Sequence, residues 1–263
     1  MAIALVLALI LIALGSAWLF VAHPWWFPAG VSAQAAALDH GFTVALWLLG
    51  GLFMAGQITL AILLVRSRRK GKAIYDPGNW RFEVAWTLAI ALLFFWFNVS
   101  GEKLWSRMMV HHATPGAVQV EVTGAQFQWY FRYPGADGVF GRTDAQKFAR
   151  PDEGNPLGID PADSAGRDDI TSAALVLPAD RDIDLTLRAQ DVIHSLFIPA
   201  MRFKQDAVPG MTIRQHLRPI QTGIYEIACA ELCGTGHYRM RATVRVVSEE
   251  QFAAWLKART APE

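Results

Sequence analysis

The twelve residues from Cys229 to Met240 read CAELCGTGHYRM and contain both cysteines of the 263-residue chain. In an oxidising compartment a cysteine pair is usually a disulfide. A disulfide, however, needs neither His237 nor Met240, which follow the second cysteine closely. Thiolate, imidazole and thioether groups together form a soft ligand set that suits copper. This stretch therefore predicts a copper-binding loop.

An upstream histidine extends the copper pattern. A mononuclear blue-copper site uses one cysteine, two histidines and a weak axial methionine. The first histidine here would be His194, thirty-five residues before Cys229 in the apolar run VIHSLFI. The loop then holds one cysteine more than such a site needs. Two thiolates can bridge two copper ions, with His194 and His237 as terminal ligands, Met240 as a weak ligand and a backbone carbonyl between the cysteines as another. The pattern thus predicts a binuclear centre whose geometry changes little on reduction.

Strand signals surround this loop. Runs of alternating polarity rich in branched and aromatic residues favour β-strands. Eight such runs occupy residues 118–123, 126–133, 174–177, 183–188, 192–198, 212–217, 223–228 and 242–247. Eight short strands separated by turn signals predict a sandwich or a Greek-key barrel. Ser248 and Gln251 have capping-box spacing and predict a short final helix.

Residues 134–171 interrupt the strand pattern with glycine, proline and aspartate. We expect a long insertion without a strand of its own. It would serve either as a solvated loop or as part of a docking surface for a basic partner.

Three apolar blocks precede the strands, at residues 2–22, 42–65 and 84–99. A bilayer core requires about 20 apolar residues in a helix, so the first two blocks are long enough. The third is marginal unless Trp80, Phe82 and Trp105 extend it into the interfaces. We expect residues 1–22 to form a transmembrane helix or a signal segment, and residues 42–99 to form a transmembrane helical hairpin.

Basic residues lie between the second and third blocks and predict a cytoplasmic loop there. They are Arg66, Arg68, Arg69, Lys70, Lys72 and Arg81. Residues 100–263 would then form one exported domain, on the same side as residues 23–41. The net charge of +1 gives no indication of nucleic-acid binding.

The motifs DVIHSLFIP, KQDAVPGM and CAELCGTGHYRM, in this order, resemble the copper A domain of cytochrome c oxidase subunit II. FEVAWT, before the third apolar block, resembles the membrane hairpin of that family. The resemblance covers roughly residue 42 to the C-terminus. It implies a membrane-anchored all-β protein with a cupredoxin-like Greek-key barrel, in a bacterial inner membrane with the barrel on the periplasmic side. Two copper ions would be bound by His194, Cys229, the carbonyl of Glu231, Cys233, His237 and Met240.

The resemblance also implies partners and a function. The domain would accept electrons from a cytochrome c or a c-type cytochrome subunit and relay them to the haems of subunit I, where oxygen is reduced and protons are translocated. Further oxidase subunits and membrane lipid would complete the surroundings. The carboxylate of Glu231 would reach a magnesium or manganese ion shared with subunit I. The chain has no Cys-x-x-Cys-His motif, so we expect no c-type haem in it.

Two roles implied by the resemblance keep alternatives. Glu83 matches a family glutamate near the cytoplasmic mouth of a proton pathway, but it could equally be an ordinary interfacial carboxylate. The exposed aromatic that receives the electron is Phe127 if the alignment is anchored on Gly124, or Trp129 if it is anchored on the following Gln-Trp-Tyr. We expect Trp129, because indole offers a larger π-surface and an N–H that can stay hydrated.

Two other functions compete with this interpretation. A copper A subunit of a nitric-oxide-reducing haem–copper enzyme would have the same motifs. A membrane-tethered, thioredoxin-like copper chaperone would also use Cys-x3-Cys and a distant histidine. It is disfavoured because one histidine precedes the pair here, another follows at once, and no crossover helices are predicted.

Overall fold

The computed structural model describes residues 2–22, 28–70, 75, 77–109, 114–149 and 154–260. Three helices precede the strands: α1 (Ala2–Ala22), α2 (Ala33–Lys70) and α3 (Trp80–Met109). Each is long and apolar enough to cross a membrane, over Ile3–Ala22, Ala33–Ser67 and Trp80–Ser106. The third apolar block is therefore lengthened at both ends, as Trp80 and Trp105 predicted. Helix α2 begins well before the predicted block, and Lys72 lies outside the described residues.

The described residues after α3 form two five-stranded sheets and a C-terminal helix. The strands are β1 (Val118–Ala125), β2 (Gln128–Tyr133), β3 (Ile170–Ser172), β4 (Leu175–Pro178), β5 (Ile183–Ala189), β6 (His194–Ile198), β7 (Phe203–Ala207), β8 (Ile213–Leu217), β9 (Gly223–Cys229) and β10 (Arg241–Val247); the helix is α4 (Glu249–Thr260). The first sheet has the order β3-β2-β1-β5-β8 and the second the order β4-β10-β9-β6-β7. Both sheets contain one parallel pair, β1 with β5 and β4 with β10.

The core lies between the two sheets, as expected for a cupredoxin-like fold. In β5 the side chains of Ile183, Leu185 and Leu187 are fully buried, while the alternate residues are half-buried. This is the alternation that a strand with one covered face requires. Both cysteines belong to the same cluster of buried residues. The candidate metal loop is thus part of the core.

All eight predicted strands are present, but two further strands were missed. Strand β3 lies at the end of the segment predicted to contain no strand, so that prediction is wrong at Ile170 and Thr171. Three residues are too few to show alternation, and β3 is defined by its pairing with β2 at the sheet edge. Strand β7 (FKQDA) also lies at an edge, where exposed positions accept polar residues.

The predicted capping box of α4 is confirmed. The Ser248 N–H donates to the Gln251 side-chain oxygen at 3.1 Å, and the Gln251 N–H donates to the Ser248 hydroxyl at 3.3 Å. Two orphan donors of the first turn are satisfied in this way.

The insertion is attached to the first sheet through a buried ion cluster. The Arg132 guanidinium on β2 contacts the carboxylates of Glu121 and Asp169 and the carbonyl of Gly141. The Arg132 side chain is almost fully buried, as are its two acidic partners. A buried charge is tolerated only when it is paired and hydrogen-bonded, so this cluster fixes both ends of the insertion on the sheet.

We call the two sheets and α4 the β-domain. Residues 29–37 pack on the β-domain and belong to the same compact unit. The Val31 N–H donates to the Ala200 carbonyl at 2.8 Å, and the Val31 carbonyl accepts from the Ile220 N–H at 2.9 Å. The Ser32 hydroxyl donates to the Met201 carbonyl at 2.7 Å and caps α2. The side chain of Val31 is 2% exposed. We call residues 29–37 the N-terminal clamp.

Replacing Val31 by alanine should destabilise the β-domain by about 2 kcal/mol, because two buried methyl groups are lost and a small cavity is left. Val139→Ala, at an exposed position in the insertion, is the matched control and should change stability by less than about 0.5 kcal/mol. The measurement is denaturant unfolding of the full-length chain in detergent, followed by near-ultraviolet circular dichroism. If Val31→Ala changed the free energy of unfolding as little as Val139→Ala does, the Val31 side chain of the clamp would contribute no stability.

Candidate metal centre

The donors come from two adjacent strands and one loop. His194 opens β6 and Cys229 closes β9, and these strands pair with Leu196 opposite Cys229. The loop after β9 then runs to Met240, the residue before β10. The Cys229 N–H donates to the Met240 carbonyl, and the Ala230 N–H donates to the Ser195 carbonyl, both at 3.0 Å. These main-chain bonds fix the first and last residues of the loop against the sheet.

The two thiols face each other, and each has an imidazole beside it. Their sulfur atoms are 3.9 Å apart, and both cysteines are free. The Nδ1 atom of His194 lies 4.0 Å from the Cys229 sulfur. The Nδ1 atom of His237 lies 3.6 Å from the Cys233 sulfur. The donor atoms of His194, Cys229 and Cys233 all lie within 4.8 Å of one another, as a metal site requires.

Each thiol also has one weaker donor beside it. The Met240 thioether sulfur lies 3.7 Å from the Cys233 sulfur. The Glu231 carbonyl oxygen lies 3.3 Å from the Cys229 sulfur. Each thiol is thus next to one imidazole and one weak donor. The structure therefore brings together all six predicted donors.

The site is buried, and burial determines its protonation. Cys233 is 3% exposed, while His194 and Met240 are buried completely or nearly so. Burial, and after it the adjacent Cys229 thiol, raises the pKa of Cys233 to about 11. At neutral pH the thiolate form therefore needs a compensating cation. A metal ion bound here would displace the thiol protons.

Asp191 orients the imidazole of His194. The Oδ1 atom of Asp191 lies 2.8 Å from Nε2 of His194 and accepts from the main-chain N–H of Val192 at 2.7 Å. The Oδ2 atom of Asp191 accepts from the main-chain N–H of Gln126 at 2.7 Å. Burial acts to raise the pKa of Asp191, but the hydrogen bonds from His194 and the two N–H groups lower it overall. An ionised Asp191 accepts a hydrogen bond from the Nε2–H group of His194. The Nδ1 lone pair of His194 is then directed at the thiols.

Strand β1 approaches the same imidazole from the other sheet. A Cβ atom at Gly124 would lie 2.9 Å from the His194 ring, so only glycine allows this close contact. Sequence reasoning did not identify Asp191 as a partner of His194. The available signal was its position three residues before the histidine.

The expected exposure of Trp129 is wrong. Its side chain is 1% exposed and packs edge-on against the His194 ring, with the ring centroids 5.9 Å apart. Phe127 lies in the turn before β2 and is half-buried. A Cβ atom at Gly236 would lie 2.4 Å from the Phe127 ring, so Phe127 packs directly on the metal loop. The alternation of side chains along the strand assigned Trp129 to one face of the sheet. It did not show that this face is covered.

The other predicted groups are not among the six candidate donors. Glu83 is in the first turn of α3, in a different compact unit from the β-domain, and its role stays a prediction. His216 is on β8 in the first sheet, where its Cα partner is Asp184 on β5. The side chain of Glu231 is exposed, and its magnesium or manganese contact stays a prediction. His111 and His112 lie outside the described residues.

Comparison with known proteins identifies the family. Residues 118–247 match the family described as cytochrome C oxidase subunit II, periplasmic domain. The alternative cytochrome c oxidase subunit 2 of Bradyrhizobium diazoefficiens is 35% identical over 98% of this chain and 91% of its own length. The chain belongs to the cytochrome c oxidase subunit II family.

Two further proteins are similar to this chain. Cytochrome c oxidase subunit 2 of Cereibacter sphaeroides is 32% identical, over 86% of this chain and 76% of that protein. The solved periplasmic domain of subunit II from Bradyrhizobium japonicum is 30% identical with a TM-score of 0.41, and covers 58% of this chain and 100% of that one. The family typically binds copper, and the buried soft donors of this chain fit that metal.

Replacing His194 or His237 by alanine should lower copper affinity about 10-fold to 100-fold, because each imidazole lies beside one thiol. His216→Ala should leave the affinity unchanged, because His216 belongs to the other sheet. Copper retained by the full-length chain after dialysis against a graded chelator measures the difference. A loss for His216→Ala as large as that for His194→Ala would contradict the arrangement of donors.

Proposed function

We propose that this chain is the subunit of a cytochrome c oxidase that first receives electrons. Its β-domain would hold a binuclear copper A centre, accept electrons from a cytochrome c or a c-type cytochrome subunit, and relay them to the haems of subunit I. Oxygen reduction and proton translocation would occur in that separate subunit. The observation that carries the proposal is the pair of free, buried thiols 3.9 Å apart, each beside its own imidazole.

The distance between the thiols supports shared metal ions. A metal–thiolate bond is about 2.3 Å long, as in zinc sites, so two sulfurs on one ion are at most about 4.6 Å apart. The observed 3.9 Å lies within that limit. Six donors exceed the needs of one tetrahedral ion, and they divide into two equivalent halves around the thiols. This division favours two metal ions. A pair of copper ions bound here would supply a one-electron redox couple.

Membrane topology supports a periplasmic position for the copper domain. The three apolar helices would anchor the chain, and the basic residues at the end of α2 and the start of α3 favour the cytoplasmic side for that loop. The exposed Glu231 carboxylate would then face subunit I, where it could share a magnesium or manganese ion. The described residues contain no α-helix between β1 and β10, which disfavours the thioredoxin-like chaperone.

The copper content tests this proposal. The full-length chain, loaded and half-oxidised, should bind two coppers and give a seven-line hyperfine pattern in paramagnetic resonance, because one unpaired electron is shared by two nuclei. Cys233→Ser removes one of the two bridges and should leave, at best, a mononuclear four-line signal. One copper per wild-type chain, or a four-line signal from fully loaded protein, would contradict the binuclear assignment.

We further propose Phe127 as the aromatic that receives the electron. An aromatic in this role must touch the haem edge of a donor and also contact the metal loop. Phe127 meets both conditions, because it is half-buried and packs on Gly236 next to His237. Trp129 does not meet the first, since its side chain on β2 is 1% exposed and packs on the His194 ring inside the domain. This proposal replaces the preference for Trp129 and favours the alignment anchored on Gly124.

Phe127→Leu should slow electron transfer from the cytochrome about tenfold or more, a change of at least about 1.4 kcal/mol in the barrier. Trp129→Phe should change the rate by less than about twofold, because an aromatic ring is retained and the buried Nε1 atom that is lost has no hydrogen-bond partner among the described residues. Stopped-flow mixing of the intact oxidase with reduced cytochrome c measures both rates. The reverse ranking would return the role to Trp129.

A further inference from the structure

We infer that Gln126 is a positioning residue that joins the electron-accepting turn to both halves of the metal site. This inference rests on the proposed function, since it concerns the same donors. Gln126 lies between β1 and β2, in the first sheet, whereas the donors lie on the second sheet and its loop. It is therefore placed to connect the two sheets at the site.

The main chain of Gln126 acts on His194 through Asp191. Its N–H donates to Oδ2 of Asp191 at 2.7 Å, while Oδ1 of the same carboxylate lies 2.8 Å from Nε2 of His194. One carboxylate thus holds the turn with one oxygen and the imidazole with the other. A displacement of the turn would be transmitted to the direction of the His194 lone pair.

The side chain of Gln126 acts on the other half of the site. Its Nε2 group donates to the carbonyl of Cys233 at 2.6 Å. The next residue, Gly234, has a positive φ of 131°, and a Cβ atom there would lie 2.8 Å from Nε2 of Gln126. Glycine is favoured at this position because the φ of 131° is strained for other residues. The bond fixes the peptide that follows the second thiol, and with it the loop that leads to His237.

These two contacts also fix Phe127. Its backbone follows Gln126 directly, and its ring lies against Gly234 and Gly236. Gln126 therefore acts on both halves of the metal site and also holds the ring of Phe127, the proposed electron acceptor, on the loop. Loss of the amide should loosen the metal and displace the aromatic together, which a bystander at the surface would not do.

Gln128 provides a matched control. It is also an exposed glutamine, two residues further along at the start of β2, and its Cα partner is Ala125 on β1. The same change, glutamine to leucine, can therefore be made at both positions. Gln126→Asn is a milder second variant, because it keeps an amide that is one methylene too short to reach the Cys233 carbonyl and leaves the main-chain bond to Asp191 in place.

The experiment uses the purified oxidase containing the full chain. We expect Gln126→Leu to keep two coppers but to release them to a copper(I) chelator about 10-fold to 100-fold faster, with an altered hyperfine pattern and slower reduction by the cytochrome. Gln126→Asn should change all three in the same direction. Gln128→Leu should match the wild type.

Two outcomes separate the inference from the proposed function. If the wild type binds two coppers and both Gln126 variants match Gln128→Leu in release rate and spectrum, the inference is overturned and the proposed function stands. If the wild type does not bind two coppers, the proposed function itself fails. Should Gln126→Leu not assemble, Gln126→Asn decides, since it preserves the polarity of the turn.

Discussion

Two buried thiols held close together are the constraint on which the β-domain depends. Burial, and after it the adjacent Cys229 thiol, raises the pKa of Cys233 to about 11, so the thiolate form of Cys233 needs a compensating cation at neutral pH. The chain must therefore hold the thiols in position while keeping water away. It does so with main-chain hydrogen bonds from Cys229 and Ala230 to neighbouring strands, and by including both cysteines in the hydrophobic core.

The two sheets contribute differently to this site. The second sheet and its loop supply every candidate donor, and the first sheet supplies the surroundings that orient them. Gly124 allows β1 to contact the His194 ring, Trp129 packs against the same ring, and Gln126 reaches the Cys233 carbonyl. A side chain held from both sheets has little freedom to move, which suits the proposed copper centre, whose geometry should change little on reduction.

The N-terminal clamp adds a further constraint on the domain. The clamp comprises the residues just before α2 and the first turn of that helix, and it lies beside β8 and the turn before β7. Its Ser32 both caps α2 and contacts the Met201 carbonyl. The β-domain is therefore not a simple C-terminal segment. Its packing includes residues just before the second apolar helix and in the first turn of that helix.

The sequence alone predicted the cluster of candidate donors, the three long apolar helices and most strands. The spacing of Cys229, Cys233, His237 and Met240 is local, so chemistry could be inferred from it directly, and long apolar or alternating runs report local periodicity. The tertiary structure decided what depends on distant contacts. The exposure of Trp129 was not predictable, because alternation assigns a side chain to a face but does not show which face is covered. The contacts of Gln126 with Cys233 and of Ser32 with Met201 join residues 107 and 169 positions apart. Such pairs leave no periodic signal in the sequence, because they exist only once the two sheets have packed together.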